Sequence, residues 1–463
     1  MHPLIRLTLL AMLSSCAHYQ ERPLNASASA TRIEARSLNN SELQQFIDSS
    51  NSPKNRAWNL DKLTLAALFY HPDLALARAQ ADSADASIVT AGLRPNPNFT
   101  LTPTWISNLA APAIPWIIAS SLSIPIETAG KRGYRIDKSQ HLTDAASLRI
   151  ADAAWLVRGR LRLAMLDVYA AQESVRFLQQ QCDLEQAINQ YLQQRQAAGE
   201  LAETDVLTAQ LGLQQTQLNL IAAQKKLANT QTLLATAIGV PVAALTGIEL
   251  DFSEFTHLPD FNAIPTAQLQ TIALRQRPDV LASLADYAAV QSALQLEIAN
   301  QYPNIQVNPG YTWDIGSHYW VLGANALQLP IFHQNQGPIA ESEAKRQEAS
   351  VRFEALQLRI LGEIDHAHAS ALAMSARWQA AGATVQNRQA NLRLVRDLAK
   401  AGELDAHAVA VAELEQSVAE RARLDVLVES QQSLAMLEAS LRQPLTPTLT
   451  NAMSIPALRK PLP

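Results

Sequence analysis

The chain has 463 residues, with 37 Lys and Arg against 42 Asp and Glu and a net charge of -5, so it has no cationic excess to attract nucleic-acid phosphates and no nucleic acid is expected as a partner. Two cysteines are too few for a disulfide scaffold or a thiolate zinc cluster. Although 48% of the residues are hydrophobic, mean hydropathy is -0.05 and no uninterrupted apolar run of about 20 residues is present to make a spanning helix.

The first 16 residues place Arg6 ahead of an apolar stretch from Leu7 to Leu13 and end in Leu13-Ser14-Ser15-Cys16. A charged, apolar, small-residue order is that of a secretory signal. It resembles a bacterial lipoprotein signal whose lipobox is Leu-Ser-Ser-Cys, which implies that residues 1–15 are removed and that Cys16 becomes the acylated, palmitate-bearing first residue. The alternative is the start of a core helix with a chance cysteine. Cys182, left without a partner, reads as a small buried hydrophobe in a helical stretch. Residues 16–57 are rich in Ser, Asn, Ala and Arg without periodicity and read as an extended segment laid over a folded body.

From residue 58 on, the sequence is a duplication. His71-Pro72-Asp73-Leu74 returns as Arg277-Pro278-Asp279-Val280, and Pro97-Asn98 as Pro303-Asn304. Ala198-Gly199-Glu200-Leu201 returns as Ala401-Gly402-Glu403-Leu404, and Pro241 as Pro444. The register divides the chain into a first unit over 58–239, a linker over 240–266, a second unit over 267–445 and a tail over 446–463.

Each unit begins with a helix after its His-Pro or Arg-Pro dipeptide, where proline in the first turn loses no hydrogen bond. Two strands follow, expected at about 96–107 and 115–126 in the first unit and about 303–315 and 318–332 in the second. Phe99, Leu101, Pro103 and Trp105 alternate with Thr100, Thr102 and Thr104, and Ile305 to Trp313 alternate in the same way with polar residues. Trp105, Trp116, Tyr311, Trp313, Tyr319 and Trp320 concentrate here, as in the aromatic girdle of a lipid-spanning barrel; two soluble hairpins packed on a helical body are the alternative.

Long helices complete each unit. Between about Lys131 and Ala197 there is no proline, and roughly 65 residues at 1.5 Å each span about 100 Å. The rod turns at Gly199 and a second helix returns with Val206, Leu213, Leu220, Leu227 and Leu234 in one heptad row and Ala209, Thr216, Ala223, Thr230 and Ala237 in another, the pattern of a close antiparallel coiled coil. The second unit repeats the design around Gly402.

Two copies of helix, strand pair, long helix, tip turn and returning helix behind a lipoprotein signal resemble the TolC family of outer-membrane efflux proteins, over about residues 58–445. The resemblance implies a mainly α fold with a small membrane β part, in which three protomers each give four strands to a twelve-stranded barrel above a periplasmic coiled-coil tunnel. Four tilted strands cannot close a barrel alone, and open edges cannot face lipid. It further implies a homotrimer that meets a periplasmic adaptor protein and an inner-membrane transporter of the RND type, located in the bacterial outer membrane. Ser123-Ile124-Pro125-Ile126-Glu127-Thr128-Ala129-Gly130-Lys131-Arg132, followed by Arg135, looks like the signature of the CzcC-like branch serving heavy-metal resistance, with Glu127, Gly130, Lys131 and Arg132 as its marks. Lys131 and Arg132 also read as cations that anchor to lipid headgroups or acidic neighbours at the inner boundary of the barrel. A multidrug or type I secretion exit duct of the same fold, or a lipid-anchored periplasmic coiled-coil spacer, are the alternative functions.

No convergent set of acids, bases or nucleophiles points to an enzyme, and no cofactor is implied. The one histidine cluster, Asp365-His366-Ala367-His368, sets its imidazoles about 200° apart on a helix, so no metal site is expected. The tip residues Gly199, Glu200, Leu201, Gly402, Glu403 and Leu404 are the expected adaptor contacts. Glu203, Asp205 and Asp405 supply a candidate acidic gate; with Ala408 and Val411 where some multidrug relatives carry an aspartate pair, Glu413 is a candidate substitute. Complementing the N-terminal dipole of a returning helix is the alternative role for these acids.

Overall fold

The computed structural model describes residues 18–49, 57–107, 115–314, 316–325 and 330–445. Cys16, the signal, the tail 446–463 and residues 326–329 of the fourth expected strand lie outside the described residues.

Two helices precede the duplicated part: α1 (Ala26–Glu34) and α2 (Ser41–Ser49). The expectation of an extended segment over 16–57 is thereby corrected. The Asn25 side chain caps α1 by accepting from the Ala28 amide, and α2 buries Leu43 and Ile47, four apart on one face, in the same core as Leu38 and Trp58. Leu43, Phe46 and Ile47 stand at helical i, i+3, i+4 spacing, but a single such set in nine residues is short of a repeating period.

The elements then run twice in the same order. The first round is α3 (Leu60–Tyr70), α4 (Pro72–Gly92), β1 (Asn98–Trp105), β2 (Trp116–Ile126), α5 (Lys131–Ala197) and α6 (Glu203–Ile238). After three short 3-10 turns at Val242–Leu245, Ser253–Thr256 and Phe261–Ala263, the second is α7 (Thr266–Gln276), α8 (Pro278–Ala299), β3 (Ile305–Asp314), β4 (Ser317–Asn325), α9 (Gln336–Lys400) and α10 (Ala406–Leu441). All four strands are shorter than expected. Pro97 and Pro303, which have no amide hydrogen to give, precede β1 and β3, and Pro330-Ile331-Phe332 has left the ladder.

The strands form one antiparallel sheet in the order β1-β2-β3-β4, with β2 and β3 pairing across the two rounds. The helices form one layer. Beside the sheet its order is α4, α5, α8, α9; towards the tips it is α6, α5, α10, α9. The long helices α5, of 67 residues, and α9, of 65, run through both halves, whereas α6 and α10, of 36 residues each, stop midway.

At that midpoint the short helices meet the start of their round. Gly239, at φ 90°, ends α6 against Tyr70, and an added Cβ would lie 2.9 Å from the Tyr70 carbonyl oxygen. Arg36 donates to the carbonyls of both Tyr70 (3.1 Å) and Gly239 (2.7 Å). In the second round Arg277 caps the end of α10 through the Ser440 carbonyl and pairs with Asp279 at 2.7 Å. The largest apolar core lies at this level, where Leu63, Leu68, Leu74, Leu161, Met165, Leu234, Ile238 and Phe255 are buried together.

Candidate functional site

The sheet has one apolar and one polar face, because residues directly opposite in an antiparallel ladder point the same way. The apolar face carries Phe99, Leu101, Trp105, Trp116, Ile118 and Leu122 from β1 and β2, with Trp313, Tyr311, Trp320 and Leu322 from β3 and β4. Most of these side chains are exposed, Trp320 by 82% and Leu322 by 79%, while Tyr311 and Trp313 are half-buried. Trp105 and Trp116 meet edge to face at 4.9 Å, and Tyr311 lies 4.9 Å from Trp320 while bonding His318 Nδ1 at 2.5 Å. Five of the six expected girdle aromatics therefore share one face. Tyr319 does not: it pairs with Thr312 on the polar face, since the register of β4 sets it one residue out of phase with Trp320. The polar face is concave and encloses a cavity of about 450 Å³ lined by Thr100, Thr102, Ser121, Ser123, Gln306 and Asn308.

At the other end, both tip turns close with a left-handed glycine, Gly199 at φ 78° and Gly402 at φ 81°. The Glu200 amide returns to the Arg195 carbonyl (3.0 Å) and the Glu403 amide to the Leu398 carbonyl (3.0 Å), so both are Schellman caps. The two tips are tied to each other. Tyr191, near the end of α5, donates its hydroxyl to Asp405 at 2.7 Å and stacks on His407 at 5.6 Å. Arg195 bonds Glu200 at 2.8 Å and stands 3.9 Å from Asp405. Asp405 also caps α10 by accepting from the Ala408 amide at 2.9 Å. That backbone bond, then the Tyr191 hydroxyl, hold the Asp405 carboxyl below its ordinary pKa, and the Asp405 bond raises the Tyr191 phenol above its own.

The candidate gate acids thus differ in state. Asp405 and Glu200 are engaged by the Tyr191 and Arg195 pair, and Glu413 bonds Arg396 at 2.6 Å. Glu203 and Asp205 stay exposed in the first turn of α6, with no ion pair to a described residue. Glu403 and Leu404 are exposed and Leu201 is half-buried.

The signature between β2 and α5 is a structural knot. Ala129 and Gly130 take left-handed φ values of 55° and 72° at the start of α5. Glu127 holds Arg135 through both carboxylate oxygens, the second at 3.0 Å. Arg135 reaches the carbonyls of Ala91 and Leu93 at 3.4 Å each, and Arg132 that of Gly92 at 2.7 Å, which satisfies the last carbonyls of α4. Lys131 is 6% exposed and donates to the Tyr302 carbonyl (2.6 Å) and the Asn304 side chain (2.7 Å) at the end of α8. Lys131 and Arg132, read from the sequence as anchors to lipid headgroups or acidic neighbours, spend their hydrogen bonds on backbone carbonyls; the acidic neighbour Glu127 acts on both through its charge, and Lys131 joins the two rounds. In the second round Asn335, at φ 59°, does the equivalent work by bonding the Glu297 carbonyl at 2.7 Å.

One charged cluster has no signal in the sequence. Arg158 and Arg162 of α5 lie 4% and 2% exposed and share Glu438 of α10 at 3.2 and 3.0 Å. Arg162 also bonds Glu254 (3.1 Å) and Gln431 (3.2 Å), and Gln431 bonds the carbonyls of Phe255 and His257. The network fastens the linker and the second round onto the first. Cys182 is buried in α5. Among the described residues no group of three or more His, Cys, Asp or Glu is placed to hold a metal ion. The described helices also include none long and apolar enough to cross a membrane, which says nothing of the sheet.

Residues 65–240 match the family model "Outer membrane efflux protein". The chain is 27% identical over 270 residues to the cobalt-zinc-cadmium resistance protein CzcC of Cupriavidus metallidurans, an alignment that spans 57% of this chain and 61%, under two thirds, of that protein. It is 27% identical over 350 residues to the pyoverdine export outer membrane protein OpmQ of Pseudomonas putida, across 68% of this chain and 72% of the other. Its fold superposes on the crystal structure of VceC from Vibrio cholerae with a TM-score of 0.67 at 19% identity, covering 84% of this chain and 97% of that one. For CusC the TM-score is 0.66 at 16% identity, covering 85% and 95%.

Proposed function

The chain belongs to the TolC family of outer-membrane efflux proteins, and we propose that three copies of it form the exit duct of a tripartite pump, lipid-anchored through Cys16. The observation that carries this reading is the incompleteness of the protomer. Its sheet ends in two unpaired edges, β1 and β4, and turns a bare apolar face outward. Such a sheet is viable in lipid only when its edges are closed.

The helical layer is open at the same two flanks. On α6 the residues Leu207, Leu211, Leu218, Ile221 and Leu233 are exposed, and on α9 so are Val351, Leu358 and Leu394. An apolar stripe on each flanking helix is what a neighbouring copy would cover. Closing the edges three times gives twelve strands, with the concave Thr, Ser and Asn face inward and the aromatics outward. The duct would be a passive conduit with energy supplied by an inner-membrane RND-type transporter, reached through a periplasmic adaptor docked on the tips at Gly199–Leu201 and Gly402–Leu404. Its resting state is held by the Tyr191–Asp405 bond. The Glu203 and Asp205 carboxylates line the approach, and a ring of carboxylates attracts cations.

Heavy-metal cations are the substrate class we infer, from the signature at 123–132 and the identity to a protein named for cobalt, zinc and cadmium resistance. Identity to a pyoverdine exporter favours a second reading, export of an organic molecule through the same fold. Mass measurement of the purified protein in detergent is expected to give a trimer, and planar bilayers a steady ion conductance; a monomer without conductance overturns the duct. A membrane-free spacer would instead leave Trp105 and Trp320 open to soluble quenchers. Deleting the gene is expected to lower metal tolerance, whereas an unchanged metal tolerance with lost drug or siderophore export would establish the second reading. Radiolabelled palmitate is expected to enter the wild-type protein and not the Cys16→Ser variant.

A further inference from the structure

Across residues 95–126 and 303–332, which contain all four strands and the turns that join them in pairs, the only Asp, Glu, Lys or Arg is Asp314. A single fixed charge in such a stretch can lie on either face, and the register decides which. Asp314 pairs with Ile117 on one side and Ser317 on the other, in the row that also holds Thr104. That is the polar, concave face, at the end of the sheet far from the helices.

No turn bond to a described residue accounts for Asp314. Asp314 opens the tight β3–β4 turn, where an aspartate often bonds the following amides. Here no hydrogen bond or ion pair to a described residue engages its carboxylate, and the left-handed Gly316, at φ 91°, supplies the turn geometry. The other titratable side chain nearby, His318, lies on the opposite face and is bonded to Tyr311. The rest of the concave face is neutral: Thr100, Thr102, Thr104, Ser121, Ser123, Gln306, Asn308, Thr312 and Tyr319.

We propose that Asp314 is the charge-selectivity residue of the distal mouth, one carboxylate from each of three copies forming a ring that admits cations in preference to anions. The proposal rests on the trimeric duct proposed above. Twelve strands about 4.8 Å apart and tilted by roughly 40° make a barrel of about 12 Å radius, so the carboxylates stand about 10 Å from the axis. Three unit charges at that distance in water, screened with a Debye length of about 10 Å at 0.1 M salt, favour a monovalent cation over an anion by about fivefold on the axis. At 1 M salt, where the Debye length is about 3 Å, the preference falls to roughly 1.2-fold.

The test is the reversal potential of the purified full-length protein in planar bilayers under a potassium chloride gradient. The Glu203→Gln and Asp205→Asn changes are made in every variant, so that the tip acids do not contribute. Asp314→Asn is expected to lower the cation-to-anion permeability ratio by about fivefold near 0.1 M salt and by only about 1.2-fold near 1 M, and Asp314→Lys to invert the preference. A ratio that changes by less than about 1.5-fold at low salt, or by the same factor at both salt levels, overturns the proposal while the conductance itself leaves the duct standing. A parent protein that conducts no ions refutes the duct and the ring with it.

Discussion

Glu438→Gln removes one charge and almost no volume from the most deeply buried ionic network of the protein. Arg158 and Arg162, 4% and 2% exposed, then face a neutral amide where they had shared a carboxylate at 3.2 and 3.0 Å. Glu254, 3.1 Å from Arg162, and Asp61, whose charge acts on Arg158, are left as the counter-charges, and both are poor ones, because burial is the strongest influence on each carboxyl and raises its pKa. Breaking a buried pair by removing one partner costs about 3–5 kcal/mol, since it strands a charge away from water. With an unfolding entropy of about 2.1 cal/mol/K per residue, a chain of this length changes its Tm by roughly 1 °C per kcal/mol, so a fall of about 3–5 °C is expected. The assay is calorimetric or fluorescence-detected melting in detergent. Arg352→Ala, which opens an exposed pair with Glu348, is the control and is expected to move Tm by less than about 1 °C. Replacing the triad together, by Arg158→Met, Arg162→Met and Glu438→Leu, is expected to recover most of the loss. A Glu438→Gln variant melting within about 1 °C of the parent would refute the reasoning, by showing that Glu254 and Asp61 suffice to balance two buried guanidiniums.

Lys131→Met keeps the aliphatic stem but removes the bonds to Tyr302 and Asn304, and is expected to cost about 2–4 kcal/mol, measured as a lower Tm with the sheet and long helices retained by circular dichroism. Gly239→Ala forces a Cβ to 2.9 Å from the Tyr70 carbonyl at φ 90°, whereas at Gly199, φ 78°, nothing lies within 4 Å. The first is expected to destabilise by more than about 2 kcal/mol and the second by about 1 kcal/mol, compared in one melting series. The Tyr191–Asp405 bond has a defined pH window. Asp405 is depressed, so its stabilisation is present above the ordinary value of 3.8 and is lost as pH falls through its lower folded value; Tyr191 is raised, so its own is lost only as pH climbs above 10.0. Single-channel conductance is therefore expected to be flat from pH 7 to 5 and to rise in Asp405→Asn, which also returns the Tyr191 titration towards 10.0 by ultraviolet difference spectroscopy.

What could be read from the sequence was local or periodic. The alternation of Phe99 to Trp105 locates a strand, the spacing of Thr216, Ala223 and Thr230 locates the face of α6 that packs on α5, and the repeated Ala-Gly-Glu-Leu locates two tips. What could not be read depends on pairing between distant segments. Glu438 meets Arg158 and Arg162 across 280 and 276 residues, and neither arginine differs in its neighbours from the solvated arginines of the same helix. Lys131 belongs to a legible motif, but the oxygens that receive it, on Tyr302 and Asn304, belong to the other unit. Composition groups Tyr319 with the girdle, and only the register of β4 shows that it points the other way. The outward stripe from Leu207 to Leu233 is weaker in the sequence than the heptad rows beside it that face α5.

The matched lengths of the long helices make the depth of the molecule a quantised dimension. Because α5 and α9 differ by two residues and α6 and α10 not at all, both tips end at nearly the same level. An isolated deletion in α5 would rotate its tip by about 100° and slide its apolar rows out of step with α6 and α10. A workable change of length must remove or add whole heptads, about 10 Å at a time, in all four helices together. Reach across a wider or narrower compartment is therefore open to this architecture only in concerted steps, and every natural length variant of it should carry its insertion four times.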